Sequence, residues 1–152
     1  MAQGRILDVL PTGVAVVTSR KGEKINGLTV AWMTQVSYNP PLVVISVAPQ
    51  RYTYEFIMES KVFAINLLAA GQQALAKHFG TSSGRKVDKF KNVPYSTKLT
   101  GAPILKEAIA YLECDVVSTY AAGDHSLIVG HVIASETLKN VAPLIFRAEE
   151  YF

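Results

Sequence analysis

Short apolar stretches with a period near two dominate the chain, and they predict strands. Gly13 to Ser19 is rich in valine, and Lys21-Gly22 within the polar Arg20 to Lys24 predicts a hairpin turn after it. Ile25 to Ser37 reads as the next strand, stopped by Asn39-Pro40-Pro41 because proline cannot donate to a sheet ladder. Leu42 to Val47 and Val62 to Leu67 follow as two further strands. Tyr52 to Ser60 and Gln72 to Phe79 break the rhythm and read as short helices, the second with Leu75 and Phe79 one turn apart on the same face. Gly80 to Asn92 is polar and reads as a loop. Strand character resumes at Ala110 to Tyr120, turns at Ala121 to Asp124, returns at Ser126 to Ser135 and ends in a short run, Leu144 to Arg147. Short turns between strands and few helices predict a mainly β fold with short helices, an antiparallel barrel and not a doubly wound α/β sheet.

The 152 residues suit one domain, 1–152, because that length supports one good core. With 49% apolar and 18% charged residues, the chain is apolar for its size, and we expect at least a homodimer. The net charge of +3 suits a phosphorylated ligand and is too small to indicate nucleic acid. Cys114 is the sole cysteine, which excludes an intrachain disulfide and a cysteine-rich metal site and favours a reducing, cytoplasmic setting. The first residues lack a secretory pattern, and no apolar run approaches the ~18 residues of a membrane helix.

No G-x-G-x-x-G follows a strand, so no Rossmann site is signalled. Gly80 to Lys86 looks like a phosphate loop, but its glycines are one residue too close for a Walker A motif and no Ser or Thr follows Lys86. Phosphate chemistry is instead spread over separate segments. Arg51-Tyr52-Thr53 lies where a strand hands over to a helix, and helix-start N–H groups with a guanidinium and a hydroxyl suit a phosphate. The plainer alternative is an ordinary helix start. Gly80 to Phe90 adds the hydroxyls of Ser82 and Ser83 and the charges of Lys86 and Lys89, or else forms a solvated loop.

Thr29 and Ala31 would share one strand face, leaving room for a flat ring, with Trp32 on the other face. A tryptophan packed in a barrel core is the commoner arrangement. His125, beside a turn, can orient a substrate amide or donate to a reduced cofactor. His131 lies on the same face six residues on, but two histidines without a third ligand do not make a metal site, and none is expected. His78 reads as a surface or cap residue.

Taken together, these segments resemble the flavin reductase-like family of FMN-binding split-barrel proteins, in its flavoredoxin and ferric-reductase-like branch. The likeness runs through Pro11 to Val14 with Val16 to Thr18, Asn26 to Trp32, Asn39 to Val43 and Arg51 to Tyr54. It continues through Phe63 to Leu67, Ser83 to Phe90 and Gly123 to Gly130. The resemblance implies a split β-barrel of Greek-key type that dimerises and holds FMN non-covalently. It implies that Thr29, Ala31 and Trp32 lie along the ring and ribityl, and that Ser46 and Val47 offer backbone to the ring. Arg51, Tyr52, Thr53, Ser82, Ser83 and Lys89 would hold the phosphate, Phe79 and Gly80 would border the pocket, and His125 would face the nicotinamide. NADH or NADPH would supply hydride, and electrons would pass to free flavin, ferric chelate or a redox partner protein. An FMN-dependent electron carrier and a non-catalytic flavin-binding module are the alternatives. One departure is plain: many members of that branch carry a cysteine where this chain has Phe79, so no role of such a thiol applies.

Overall fold

The computed structural model describes residues 7–151. Nine strands run as β1 (Ala15–Lys21), β2 (Lys24–Val30), β3 (Met33–Ser37), β4 (Leu42–Val47), β5 (Val62–Leu67), β6 (Tyr95–Ser96), β7 (Ile104–Leu105), β8 (Ala110–Ala122) and β9 (His125–Thr137). Helices α1 (Tyr52–Ser60) and α2 (Gln73–Thr81) flank β5, and a 3-10 turn covers Ala148–Glu150. Seven strands form one antiparallel sheet in the order β2-β1-β5-β8-β9-β4-β3, while β6 and β7 pair separately. The edge strands β2 and β3 are consecutive in the chain yet not paired with each other, so the barrel is split between them. The mainly β split barrel expected from the sequence is the fold observed.

The apolar run around β1 is buried on both faces. Ala15 and Val17 join Ile45, Phe63, Ile65 and Ile128 in one cluster, to which α1 contributes Ile57. Val14 and Val16 point the other way and pack with Ala76 and Phe79 of α2. A fully buried phenylalanine contributes about 2–3 kcal/mol, so Phe79 fixes α2, and with it the segment that follows, against the barrel. Gly22 supports the hairpin from β1 to β2 with φ at 62°, a region that favours glycine. The two-residue loop is Gly22-Glu23, one position later than expected, with Lys21 opposite Lys24.

Four local expectations need correction. The run Ile25 to Ser37 is two strands, broken at Ala31-Trp32, because the chain there crosses from one edge of the split to the other. Helix α2 continues through Thr81, so Gly80 lies in its last turn. The loop after it is not simply solvated, since Lys89 and Phe90 are both buried. The run Leu144 to Arg147 makes no ladder. It is tied down by an isolated bridge from Gly13 to Ile145 and by the bond from the Val14 amide to the Leu144 carbonyl, 3.1 Å.

Candidate functional site

A cleft of about 230 Å3 opens between the start of α1, the end of α2 and the segment after α2. Seven of the expected residues line it: Arg51, Tyr52, Thr53, Gly80, Ser82, Ser83 and Lys89. Lys89 is 3% exposed, and its Nζ donates to the carbonyl oxygens of Gly27 and Phe79, each at 2.9 Å. Neither acceptor bears a formal charge. Burial, and then the nearby Arg51 guanidinium, push the Lys89 ammonium down to about 8. Arg51 Nη2 also reaches only a carbonyl, that of Gly80, at 3.5 Å. No acidic residue lines the cleft. A buried ammonium facing a guanidinium without a carboxylate is costly, and an entering anion removes that cost.

The helix start adds directional donors. Arg51 is the N-cap of α1 and no side chain caps the helix, so the first-turn N–H groups carry no side-chain partner. Thr53, in that turn, is 1% exposed and accepts from Asn26 Nδ2 at 3.0 Å. With a lone pair engaged there, the Thr53 hydroxyl hydrogen is free to point elsewhere. Asn26 is itself packed so closely by Gly84 that a Cβ at that glycine would collide with its amide. His78 Nε2 is 2.6 Å from the Lys89 carbonyl oxygen and anchors the backbone that delivers the ammonium.

Four other expected residues meet at a second place. Trp32 and His125 rings lie 4.7 Å apart between centroids at an angle of 45°. The Ser46 amide donates to the Trp32 carbonyl at 3.0 Å, and Val47 is paired with Ser126, next to His125. Trp32 is 58% exposed and so is not a core tryptophan; the break after β2 turns its indole outward. His125 Nδ1 is 2.7 Å from an Asp124 carboxylate oxygen. That hydrogen bond, reinforced by the imidazole charge, holds the Asp124 carboxyl below its usual range. With Nδ1 engaged, Nε2 is the nitrogen left to meet a ligand. The four residues Ala48 to Arg51 join this patch to the cleft.

Two expected residues sit behind the site. The Phe79 ring is fully buried in the core, so only its carbonyl reaches the cleft chemistry. Thr29 Oγ1 donates to the Ala76 carbonyl, and the Thr29 side chain packs beneath Gly80, which fixes the position of α2. Ala31 follows the end of β2 and is half-buried. Sequence reasoning missed Asn26, Leu28, Gln50, Thr81 and Arg85 as lining residues, and Gly27 and His78 as supports for Lys89. Asn26-Gly27 did appear in a matching stretch, but nothing local gave it a chemical task.

The family model for the flavin reductase like domain matches residues 7–152. The NADH-dependent FAD reductase of Streptomyces globisporus is 37% identical over 133 residues, covering 86% of this chain and 72% of that protein. Among solved structures, an FMN-binding protein from Thermus thermophilus, with bound 1-cyclohex-2-enone, superposes with a TM-score of 0.80. It is 35% identical, over 85% of this chain and 72% of that one. The flavin reductase HpaC complexed with NADP+ superposes with a TM-score of 0.87 at 31% identity, covering 100% of this chain and 97% of that one. Other relatives are longer: the chain spans 63% of the high molecular weight rubredoxin of Moorella thermoacetica and 22% of diflavin flavoprotein A 1 of Synechocystis.

Proposed function

The chain belongs to the flavin reductase like domain family, and on that premise we propose that it binds FMN non-covalently and is an NAD(P)H-dependent flavin reductase. Electrons pass on to free flavin, a ferric chelate or a redox partner protein. The observation that carries the reading is the buried Lys89 ammonium beside Arg51, both facing the cleft with carbonyl partners only. A phosphomonoester of about −1.5 to −2 charge supplies what those cations lack.

Lys89, Arg51, the Thr53, Ser82 and Ser83 hydroxyls and the first-turn amides of α1 would hold the phosphate. Tyr52 and Gly80 complete the walls. Backbone at Ser46 and Val47, with Ala31, would border the flavin ring, and Trp32 with His125 would form the edge at which the nicotinamide arrives. The flavin, once bound, supplies the hydride-accepting ring and the release of electrons. His125 orients the nicotinamide amide through Nε2, held in place by Asp124 on Nδ1 and by the Trp32 face. Phosphate fixation at one end and this aromatic edge at the other set the ring's position, which is the protein's contribution to the rate.

The chain acts as one unit that dimerises. The exposure of Val36, Tyr38, Val117 and Tyr120 supports the pairing of two copies. No described helix is long and apolar enough to cross a membrane. A cytoplasmic location fits a lone buried cysteine. The test is an absorption spectrum of the purified protein followed by anaerobic addition of NADH and then NADPH. A yellow protein bleached within seconds by one of them is expected; a colourless protein that takes up no added FMN would sink the reading. Slow bleaching by both, with tight FMN binding, would favour the electron-carrier alternative, to which the rubredoxin and diflavin relatives lend support.

A further inference from the structure

We propose that Arg85, held down by Glu55, is a strap across the mouth of the cleft that selects flavins ending in a phosphomonoester over flavins whose phosphate is extended by an adenylate. The inference rests on the flavin reading above and assigns a specificity-determining pair to it.

Arg85 belongs to the segment after α2, where its amide donates to Ser83 Oγ at 3.2 Å, yet its side-chain contacts are on the opposite lip. Its Nη1 donates to the Gln50 carbonyl at 3.3 Å. Its guanidinium carbon stands 4.6 Å from the centre of the Tyr52 ring. Its Nη2 forms an ion pair with Glu55. One side chain therefore joins the Ser82–Arg85 lip to the Gln50–Tyr52 lip, both of which line the cleft. Tyr52 and Glu55 are three residues apart on α1 and so present their side chains on one face, which gives the strap a stacking surface and an anchor together. Lys21 Nζ, 3.8 Å from Glu55 Oε2, helps to hold that anchor.

The charge count points the same way. Glu55 neutralises Arg85, so of the three cations lining the cleft only Lys89 and Arg51 lack a carboxylate partner. Two free cations match a terminal phosphate, which carries about −1.5 to −2. When that phosphate is joined to a second one, as in a flavin dinucleotide, it keeps one ionisable oxygen and about one charge. Its chain must also leave through the mouth where Arg85 lies, and the outer cation that would greet the second phosphate is already engaged by Glu55. Extension thus loses charge at the bottom of the cleft and meets a barrier at the top. The distinction is a real one within the family, since the Streptomyces relative is named for FAD.

The experiment measures FMN, FAD and riboflavin binding by fluorescence titration for the natural protein and for Glu55→Gln, Arg85→Ala and Arg85→Lys. The natural protein should prefer FMN over FAD on the order of 10-fold or more, the equivalent of one charge-assisted contact. Glu55→Gln, which frees Arg85 without removing it, should cut that preference to roughly 3-fold or less while leaving riboflavin affinity unchanged. Arg85→Ala and Arg85→Lys should cut it as well, because lysine cannot bridge as a planar fork. Equal FMN and FAD affinity in the natural protein, or an unchanged preference in all three variants, would overturn the strap while leaving the flavin reading intact. Failure to bind any of the three flavins would overturn the functional reading and the strap together.

Discussion

The cation-lined cleft and the apolar cavity lined by β3, β4, β5, β8 and β9 differ in both size and chemistry. The cavity encloses about 490 Å3 among side chains such as Met33, Leu42, Ile65, Leu67, Leu112 and Val132. The cleft encloses less than half of that, yet it holds two uncompensated cations, hydroxyls and an uncapped helix start. The larger space gains from burying almost any apolar surface, because that attraction has no direction. The smaller one gains from an anion of particular charge and placement, because each donor has a fixed geometry. Specific recognition is therefore sited by unmatched polar groups, and volume alone locates only a place where something apolar can rest.

Removing the charges tests that contrast most severely. Arg51→Ala combined with Lys89→Met should lower FMN affinity about 10³-fold, since each charge-assisted contact is worth roughly 1.5–3 kcal/mol. Riboflavin, which has no phosphate, should bind as before; a matching loss for riboflavin would mean that the cations support the fold and not the ligand.

The aromatic edge predicts a different signature. His125→Ala should slow flavin reduction by NADH or NADPH on the order of 10²-fold in stopped-flow measurements, with FMN affinity almost unchanged. An unaltered reduction rate would remove His125 from the reaction.

A smaller, graded effect comes from pH. The Lys89 ammonium titrates near 8 in the ligand-free protein, and a bound phosphate favours its charged form. FMN affinity should hence fall as pH rises above 8, by about tenfold per unit once the ammonium is neutral. Lys89→Met should flatten the profile there. The free protein should show the opposite slope: its folded-state value lies below the 10.5 of an unperturbed lysine, so the unfolded chain binds more protons between 8 and 10.5 and stability rises with pH across that window. A thermal melt series over that range checks the sign.

The smallest effect on flavin binding belongs to the cavity. Leu42→Glu should alter FMN affinity, read by fluorescence titration, by about 2-fold or less. A large loss of FMN affinity would show that cavity and cleft act as one site.

Much of the fold was legible because local signals agreed with the tertiary outcome. The valine-rich β1, the prolines bounding β4 and the helix start at Arg51 each follow from sterics and hydrogen bonding within a few residues. Arg51, Thr53, Ser82 and Ser83 were likewise visible as fragments of phosphate chemistry, since each lies in a segment whose backbone suits an anion. Trp32 was harder. Alternation over Ile25 to Ser37 assumed one unbroken strand and left the commoner core tryptophan open beside the ligand-facing one, and only the break at the barrel split shows the indole exposed.

What the sequence determined by itself was the kind of chain this is: short strands, two short helices and an excess of positive charge in polar segments, all set by interactions between near neighbours. Only the tertiary structure decided that Lys89 is buried, that Asn26 orients Thr53 and that Arg85 bridges two lips. Those facts join residues 27 to 62 positions apart, and a desolvated charge exists only once distant strands and helices have closed around it.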